Sequence, residues 1–193
     1  MNYLHTYNCA FSDSEYSASH HIQYDMVIRS LLNKFNPSDQ FTLIDIGSGR
    51  GHMIRMIKNI FPNCKITSVD INNYHNIADI QFIQSDLSNK EDRNNLQNNK
   101  YDVLICLDVL EHLDYSFIND VFELFHNMSN YNLFAIANHS DIFNGIELHT
   151  IQENETWWNN IINKLYYIKY FEKTTDNRLY YYELESIFNP SPV

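Results

Sequence analysis

Phe41-Thr42-Leu43-Ile44-Asp45-Ile46-Gly47-Ser48-Gly49-Arg50-Gly51 joins a short apolar run to a turn holding three of the chain's four glycines. The β-branched run reads as a buried strand. Glycine tolerates unusual dihedrals and lets a ligand lie close to the backbone. The next stretch, 51 to 60, carries Met53, Ile54, Ile57 and Ile60 and fits a helix that Phe61-Pro62-Asn63 stops. A glycine at every second position is not the dinucleotide spacing. No Gly-Lys-Ser or Gly-Lys-Thr is present, so the turn is not a nucleoside-triphosphate loop.

Outward from this unit the pattern alternates. Residues 20 to 35 fit a helix ended by Asn36-Pro37-Ser38-Asp39. Lys65 to Asp70 reads as a second strand ending on an acid, and Ile80 to Ile83 as a weak third. Residues 88 to 99 are polar and charged, a surface helix or loop. Tyr101 to Leu107 is a continuous apolar run suited to a central parallel strand. Residues 114 to 128 fit a helix, and Tyr131 to Ala137 a fifth strand. After a helix over Glu155 to Lys164, two strands flank a polar turn. The expected fold class is α/β: a doubly wound, mostly parallel sheet closed by a C-terminal antiparallel hairpin. One domain spans 1 to 193, since no linker or repeat interrupts it.

Leu43 to Gly51 resembles the first motif of the class I S-adenosylmethionine-dependent methyltransferases, which have a Rossmann-like fold. Val69-Asp70-Ile71, Gln84-Ser85-Asp86-Leu87 and Tyr101 to Leu113 resemble three further segments of that superfamily, in order. The resemblance covers about residues 40 to 137 and implies S-adenosylmethionine as cofactor. It implies that Asp45 orients the glycine turn and faces the methionine amino group through a water. Gly47, Gly49 and Gly51 border the methionyl and ribose parts. Asp70 takes the ribose hydroxyls, Ile71 packs on adenine, Asp86 accepts from the adenine amino group, and Leu87 offers its amide. Leu107 and Asp108 lie near the sulfonium. Glu111 and His112 correspond to a pair that is often structural. In related small enzymes the N-terminal region folds over the cofactor, so residues 1 to 38 are an arm and helix covering the site, with Tyr16, His20 or Tyr24 closing it.

The acceptor side varies within the superfamily. Here the polar connection after the fifth strand carries His139, Asp141, Glu147 and His149. His139 and His149 are the candidate general bases, because neutral imidazole accepts protons near neutral pH. Glu147 orients a histidine or binds an acceptor hydroxyl. Asp141, Glu147 and His149 form a conceivable metal set, but no acid pattern of metal-dependent relatives is clear, and no metal is assigned. Of Trp157 and Trp158, one packs in the core and the other is a candidate for the pocket wall. No Asn-Pro-Pro-Tyr or Asp-Pro-Pro-Tyr follows the fourth strand, and no Pro-Cys pair marks a pyrimidine nucleophile. Cys106 reads as a small buried hydrophobe.

The chain has 193 residues, 24 acidic and 13 basic, for a formal charge of -11. That disfavours a broad nucleic-acid footprint and an anionic membrane surface. Three scattered cysteines form no zinc spacing or disulfide framework. No signal peptide is visible, and no apolar run reaches the roughly 20 residues that cross a bilayer. A cytoplasmic protein is expected. The favoured function is methyl transfer to a hydroxyl of a small molecule or sugar, assisted by a histidine base. The alternatives are a protein or nucleic-acid acceptor, or an inactive cofactor-binding partner subunit. Oligomeric state stays open.

Overall fold

The five residues of β4 (Val103–Leu107) are all buried, as the continuous apolar run requires of a strand covered on both faces. Leu104 and Cys106 pack on one side of the sheet, Val103, Ile105 and Leu107 on the other. The same alternation sends Ile44 and Ile46 of β1 (Thr42–Ile46) one way and Leu43 the opposite way. The computed structural model describes residues 21–187. The expected arm with Tyr16 and His20 lies outside the described residues.

Seven strands run in the order β3-β2-β1-β4-β5-β9-β8. They include β2 (Lys65–Asp70), β3 (Gln81–Gln84), β5 (Tyr131–Ala137), β8 (Tyr166–Lys173) and β9 (Leu179–Ser186). β3, β2, β1, β4 and β5 are mutually parallel, while β9 is antiparallel to both β5 and β8. The chain crosses from one half of the sheet to the other after β3, so the strand order reverses between the neighbours β1 and β4. A crevice therefore opens at the C-terminal ends of these strands, where such sheets bind ligands.

Helices cover both faces. α1 (His21–Lys34) and α2 (His52–Ile60) bury Val27, Leu31, Met53, Ile54 and Ile57 against one side. α4 (Ile118–Met128) and α5 (Glu155–Ile162) bury Val121, Phe122, Phe125, Trp158 and Ile162 against the other. The short α3 (Lys90–Leu96) begins at Asn89, whose side chain accepts from the Glu91 and Asp92 amides. The expected long helix over 114 to 128 is shorter: a 3₁₀ turn, Leu110–His112, and a loop precede α4.

The connection after β5, read from sequence as polar, contains a two-stranded hairpin. β6 (Ile142–Phe143) pairs antiparallel with β7 (Ile146–Glu147) around Asn144-Gly145. Both turn residues have positive φ, 50° and 77°. Asn-Gly is the favoured dipeptide for such a turn, so the signal was present.

Candidate active site

The three glycines of the turn after β1 all adopt left-handed φ: 74°, 49° and 70° for Gly47, Gly49 and Gly51. This backbone turns the chain sharply from β1 into α2. The Gly47 amide donates to the Val69 carbonyl at 2.8 Å, and Gly51 stands at the N-terminal cap of α2. A Cβ on Gly47 would lie 2.2 Å from Val109 Cγ2. The turn therefore sits directly against the segment leaving β4.

Asp70, at the end of β2, ties the turn down. Its Oδ2 accepts the Gly49 amide at 2.8 Å and its Oδ1 the Ile71 amide at 2.7 Å. A carboxylate has about four acceptor positions, so capacity remains for a diol. Burial raises the Asp70 pKa to about 6, and the hydrogen bonds from Gly49, Ile71 and Asn72 oppose that rise.

Asp45 lies beneath the turn, 3% exposed. Its Oδ2 has no hydrogen-bond partner among the described residues. Burial, and then the negative Asp70, push its pKa up to about 8. A buried acceptor without a donor is costly. The buried hydroxyls of Ser48 and Ser85 are likewise unpartnered. Tyr24 on α1 completes this wall: burial, then Asp45 and Asp108, raise its pKa to about 12.

The cleft is walled by Gly47, Asp70, Ile71, Asp86, Leu87 and the segment Asp108–Val109, with His112 and Leu113 at one end. Asp86 Oδ1 accepts from the Ser88 amide at 2.8 Å, and its own amide donates to Asp92 Oδ2 at 2.8 Å. Arg93 fastens this loop, donating to the Leu87 carbonyl at 2.6 Å and to Asp120 at 3.2 Å. Leu107 is buried in the core face shared with α1 and α2; Asp108, which the sequence placed beside it near the sulfonium, and Val109 wall the cleft. Gly49 and Gly51 shape the turn without lining the cleft. The sequence reading did not assign the cleft walls Ser85, Val109 and Leu113. Val109 announced itself only through what Gly47 must avoid.

At the far end, two acids and two imidazoles converge. One donor atom each from Asp108, Glu111, His112 and His149 lies within 4.8 Å of the others. Asp108 reaches this position through a left-handed backbone, φ 59°. Glu111 is fully buried; one carboxylate oxygen accepts the Ala137 amide at 2.6 Å, while Oε2 meets no donor among the described residues. Burial, then the charge of Asp108, raise its pKa well above the carboxylate range. Burial also lowers the His112 pKa, keeping the ring neutral.

The tautomers follow from the partners. His112 Nδ1 lies 3.1 Å from the Leu148 carbonyl and His149 Nδ1 2.5 Å from the His139 carbonyl. Carbonyl oxygens only accept, so each Nδ1 carries a hydrogen and donates it. The two ring centroids are 4.6 Å apart.

The other acceptor-side candidates are placed differently. His139 is outside the cluster; its ring lies 4.9 Å from that of His149, and its Nδ1 bonds the Ser140 carbonyl. Glu147 accepts from the Ser140 hydroxyl and, at 2.9 Å each, from the Asp141 and His149 amides. Burial pushes its pKa up, but these bonds and one from Gln152 outweigh it and bring the value down to about 2. Glu147 thus clasps the loop that carries His149. The Asp141, Glu147 and His149 metal set does not assemble, because the Glu147 carboxylate is turned into this clasp. Trp158 is buried in the core, and Trp157 packs edge-on against Tyr115 rather than lining the cleft. Cys106 is buried, as expected.

The glycine turn, the acid at the end of β2 and the strand order define a methyltransferase of the class I, S-adenosylmethionine-dependent type. The chain belongs to the family described as "Methyltransferase domain", whose profile matches residues 19–161. No curated protein sequence matches it. Among solved structures it is similar to magnesium protoporphyrin IX methyltransferase from Synechocystis PCC 6803 with bound SAH. That match has 18% identity and a TM-score of 0.65, over 94% of this chain and 92% of that one. The N-methyltransferase NodS from Bradyrhizobium japonicum WM9, in complex with S-adenosyl-l-homocysteine, matches at 11% identity and TM-score 0.67, over 97% and 100%. The CurJ carbon methyltransferase matches at 13% and 0.67, over 95% and 59%. At these identities the likeness speaks for the fold. No helix among the described residues is long and apolar enough to cross a membrane.

Proposed function

We propose that the protein transfers the methyl group of S-adenosylmethionine to a hydroxyl of a small molecule or sugar. The cofactor supplies a methyl carbon on a positively charged sulfur. Asp70 holds the ribose diol, Ile71 and Leu87 flank the adenine, and Asp86 accepts from its amino group through whichever oxygen Ser88 leaves available. The orphaned Asp45 oxygen fits the methionine ammonium, directly or through a water. Gly47 lines the cleft and lets the turn close on Val109, because nothing projects from its Cα.

This assignment gives the Asp108 end of the cleft the sulfonium and the acceptor. The observation that carries the hydroxyl reading is the pair of imidazoles at that end, each held through Nδ1 by a backbone carbonyl. An attacking hydroxyl must lose a proton, and a neutral imidazole with a fixed tautomer can receive it. His149 Nε2 is the proposed proton acceptor, with Glu147 positioning it by holding its amide. The nucleophile must approach the methyl carbon to about 3 Å with water excluded, and α1 with Tyr24 covers this region in a single methyltransferase domain. The three cysteines without a disulfide framework suit the cytoplasm.

The experiment is an acceptor screen of sugars, nucleotide sugars and phenols, reading S-adenosylhomocysteine formation. Turnover on a hydroxyl acceptor that falls in His149→Ala supports the reading. Turnover confined to amines, or to protein or nucleic acid, overturns the acceptor assignment.

A further inference from the structure

We propose that Asp108, Glu111, His112 and His149 bind one divalent transition-metal cation, which holds and acidifies the acceptor hydroxyl. This rests on the hydroxyl-methylation reading above and deepens it.

The donor set comes first. Two carboxyl groups and two imidazoles suit Mn²⁺, Fe²⁺, Co²⁺ or Zn²⁺ better than the all-oxygen cations. Metal–ligand bonds of about 2.0–2.2 Å put opposed donors about 4 Å apart. Donor atoms already within 4.8 Å of one another need only small shifts to reach that.

The orientation of the rings is an independent observation. A metal-bound histidine ordinarily donates its other N–H to a carbonyl or carboxylate, which fixes the ring and its tautomer. Both His112 and His149 do this, to the carbonyls of Leu148 and His139. Those carbonyls come from the loop after β5, which Glu147 clasps from its other side.

Glu111 is the third observation. Its Oε2 is fully buried with no amide, hydroxyl or cationic donor among the described residues, and the side chain lies against a second acid, Asp108. Like charges brought together away from water are destabilising unless a cation or proton joins them. The backbone spends strain to build this pairing. Asp108 sits at φ 59°, a region non-glycine residues rarely occupy, and such outliers gather at functional sites. The Glu111 carbonyl accepts the Ile151 amide at 2.8 Å, so the element is pinned to the same loop.

Four protein ligands leave positions open on the cation. An acceptor hydroxyl bound there becomes more acidic and loses its proton to water at a lower pH than when free. Its oxygen then forms the new O–C bond as the S–C bond breaks and that electron pair returns to sulfur. One proton is released and nothing is oxidised or reduced. With the cation in place, His149 Nε2 serves as a ligand, and the cation replaces the imidazole as the group that makes the hydroxyl reactive.

The test is titration of chelator-stripped protein with Mn²⁺, following loss of the free-ion paramagnetic resonance signal. Calorimetry with S-adenosylhomocysteine runs in parallel. One Mn²⁺ site per chain is expected, weakened at least tenfold in Asp108→Asn and again in His149→Ala. Both variants should stay folded by circular dichroism, and His149→Ala should keep the S-adenosylhomocysteine affinity of the parent. Absence of a Mn²⁺ site in protein that binds S-adenosylhomocysteine overturns the cation proposal alone. Equal Mn²⁺ affinity in parent and both variants does the same. A Mn²⁺ site of the expected ligands in protein that binds no S-adenosylhomocysteine supports the cation site and counts against the methyltransferase reading.

Discussion

A Cβ placed on Gly47 would lie 2.2 Å from Val109 Cγ2, so the turn after β1 and the segment after β4 touch with no space for a side chain. Gly47 also holds φ at +74°, where an L side chain costs about 1–2 kcal/mol by itself. Gly47→Ala therefore displaces the cleft wall. Urea denaturation should show a loss of at least 1–2 kcal/mol. Adding Val109→Ala should restore part of it, since the clash goes and the dihedral strain stays. A Gly47→Ala protein as stable as the parent would contradict the geometry.

Asp45 makes stability depend on pH. Its folded-state pKa is raised to about 8 from an ordinary 3.8, so between these values the folded protein holds a proton that the unfolded chain has released. Unfolding free energy should fall as pH rises across that window. Asp70, raised to about 6, acts in the same direction over the lower part. Asp45→Asn should flatten the slope between pH 6 and 8, measured by thermal melts across a buffer series. Cofactor binding near pH 7 should release a proton if the methionine ammonium meets this carboxyl. Calorimetry in buffers of different ionisation enthalpy reads that release directly.

Glu147 has the opposite sign. Its pKa is lowered to about 2, so its contribution is complete above the ordinary carboxylate range and disappears only as pH falls toward 2. Glu147→Ala should speed hydrogen exchange at the Asp141 and His149 amides, which lose their acceptor. Turnover should fall while cofactor affinity stays within a factor of about 2–3, because the clasp touches the acceptor loop and not the cleft. Unchanged exchange at both amides would count against the clasp.

His139 and His149 are separable by substitution. Only His149 joins Asp108, Glu111 and His112, whereas His139 supplies that cluster a backbone carbonyl that survives truncation. His149→Ala should lower turnover by about 10²–10⁴-fold, whether the ring takes the proton itself or holds the cation that acidifies the hydroxyl. His139→Ala should cost far less. The reverse order in a steady-state assay would reassign the base.

The parallel core was legible because the strands are short apolar runs punctuated by glycine, proline and asparagine. β4 and β5 needed nothing beyond their apolar continuity. Glycine economy marked the turn: with only four glycines in the chain, three at alternate positions stand out. The four-residue cluster was not legible. Asp108, Glu111 and His112 come from one segment, but His149 arrives from a loop 37 residues further on, carried there by the hairpin around Asn144-Gly145. Sequence proximity instead grouped Asp141, Glu147 and His149, and nothing in their spacing showed that Glu147 would bind backbone amides. Leu107 and Asp108 were read together at the edge of the fourth strand; the left-handed φ of Asp108 turns the chain there, so that Asp108 lines the cleft and Leu107 packs in the core.

The central claim is that the crevice between the glycine turn and Asp70 binds S-adenosylmethionine. Calorimetric titration with S-adenosylhomocysteine, on the parent and on Asp70→Ala, tests it most directly. Hydrogen bonds to a charged acceptor contribute about 1.5–3 kcal/mol each. The account predicts binding at one site per chain, weakened at least tenfold in a variant whose circular dichroism shows it folded. No binding by folded parent protein, or equal affinity in Asp70→Ala, would contradict it.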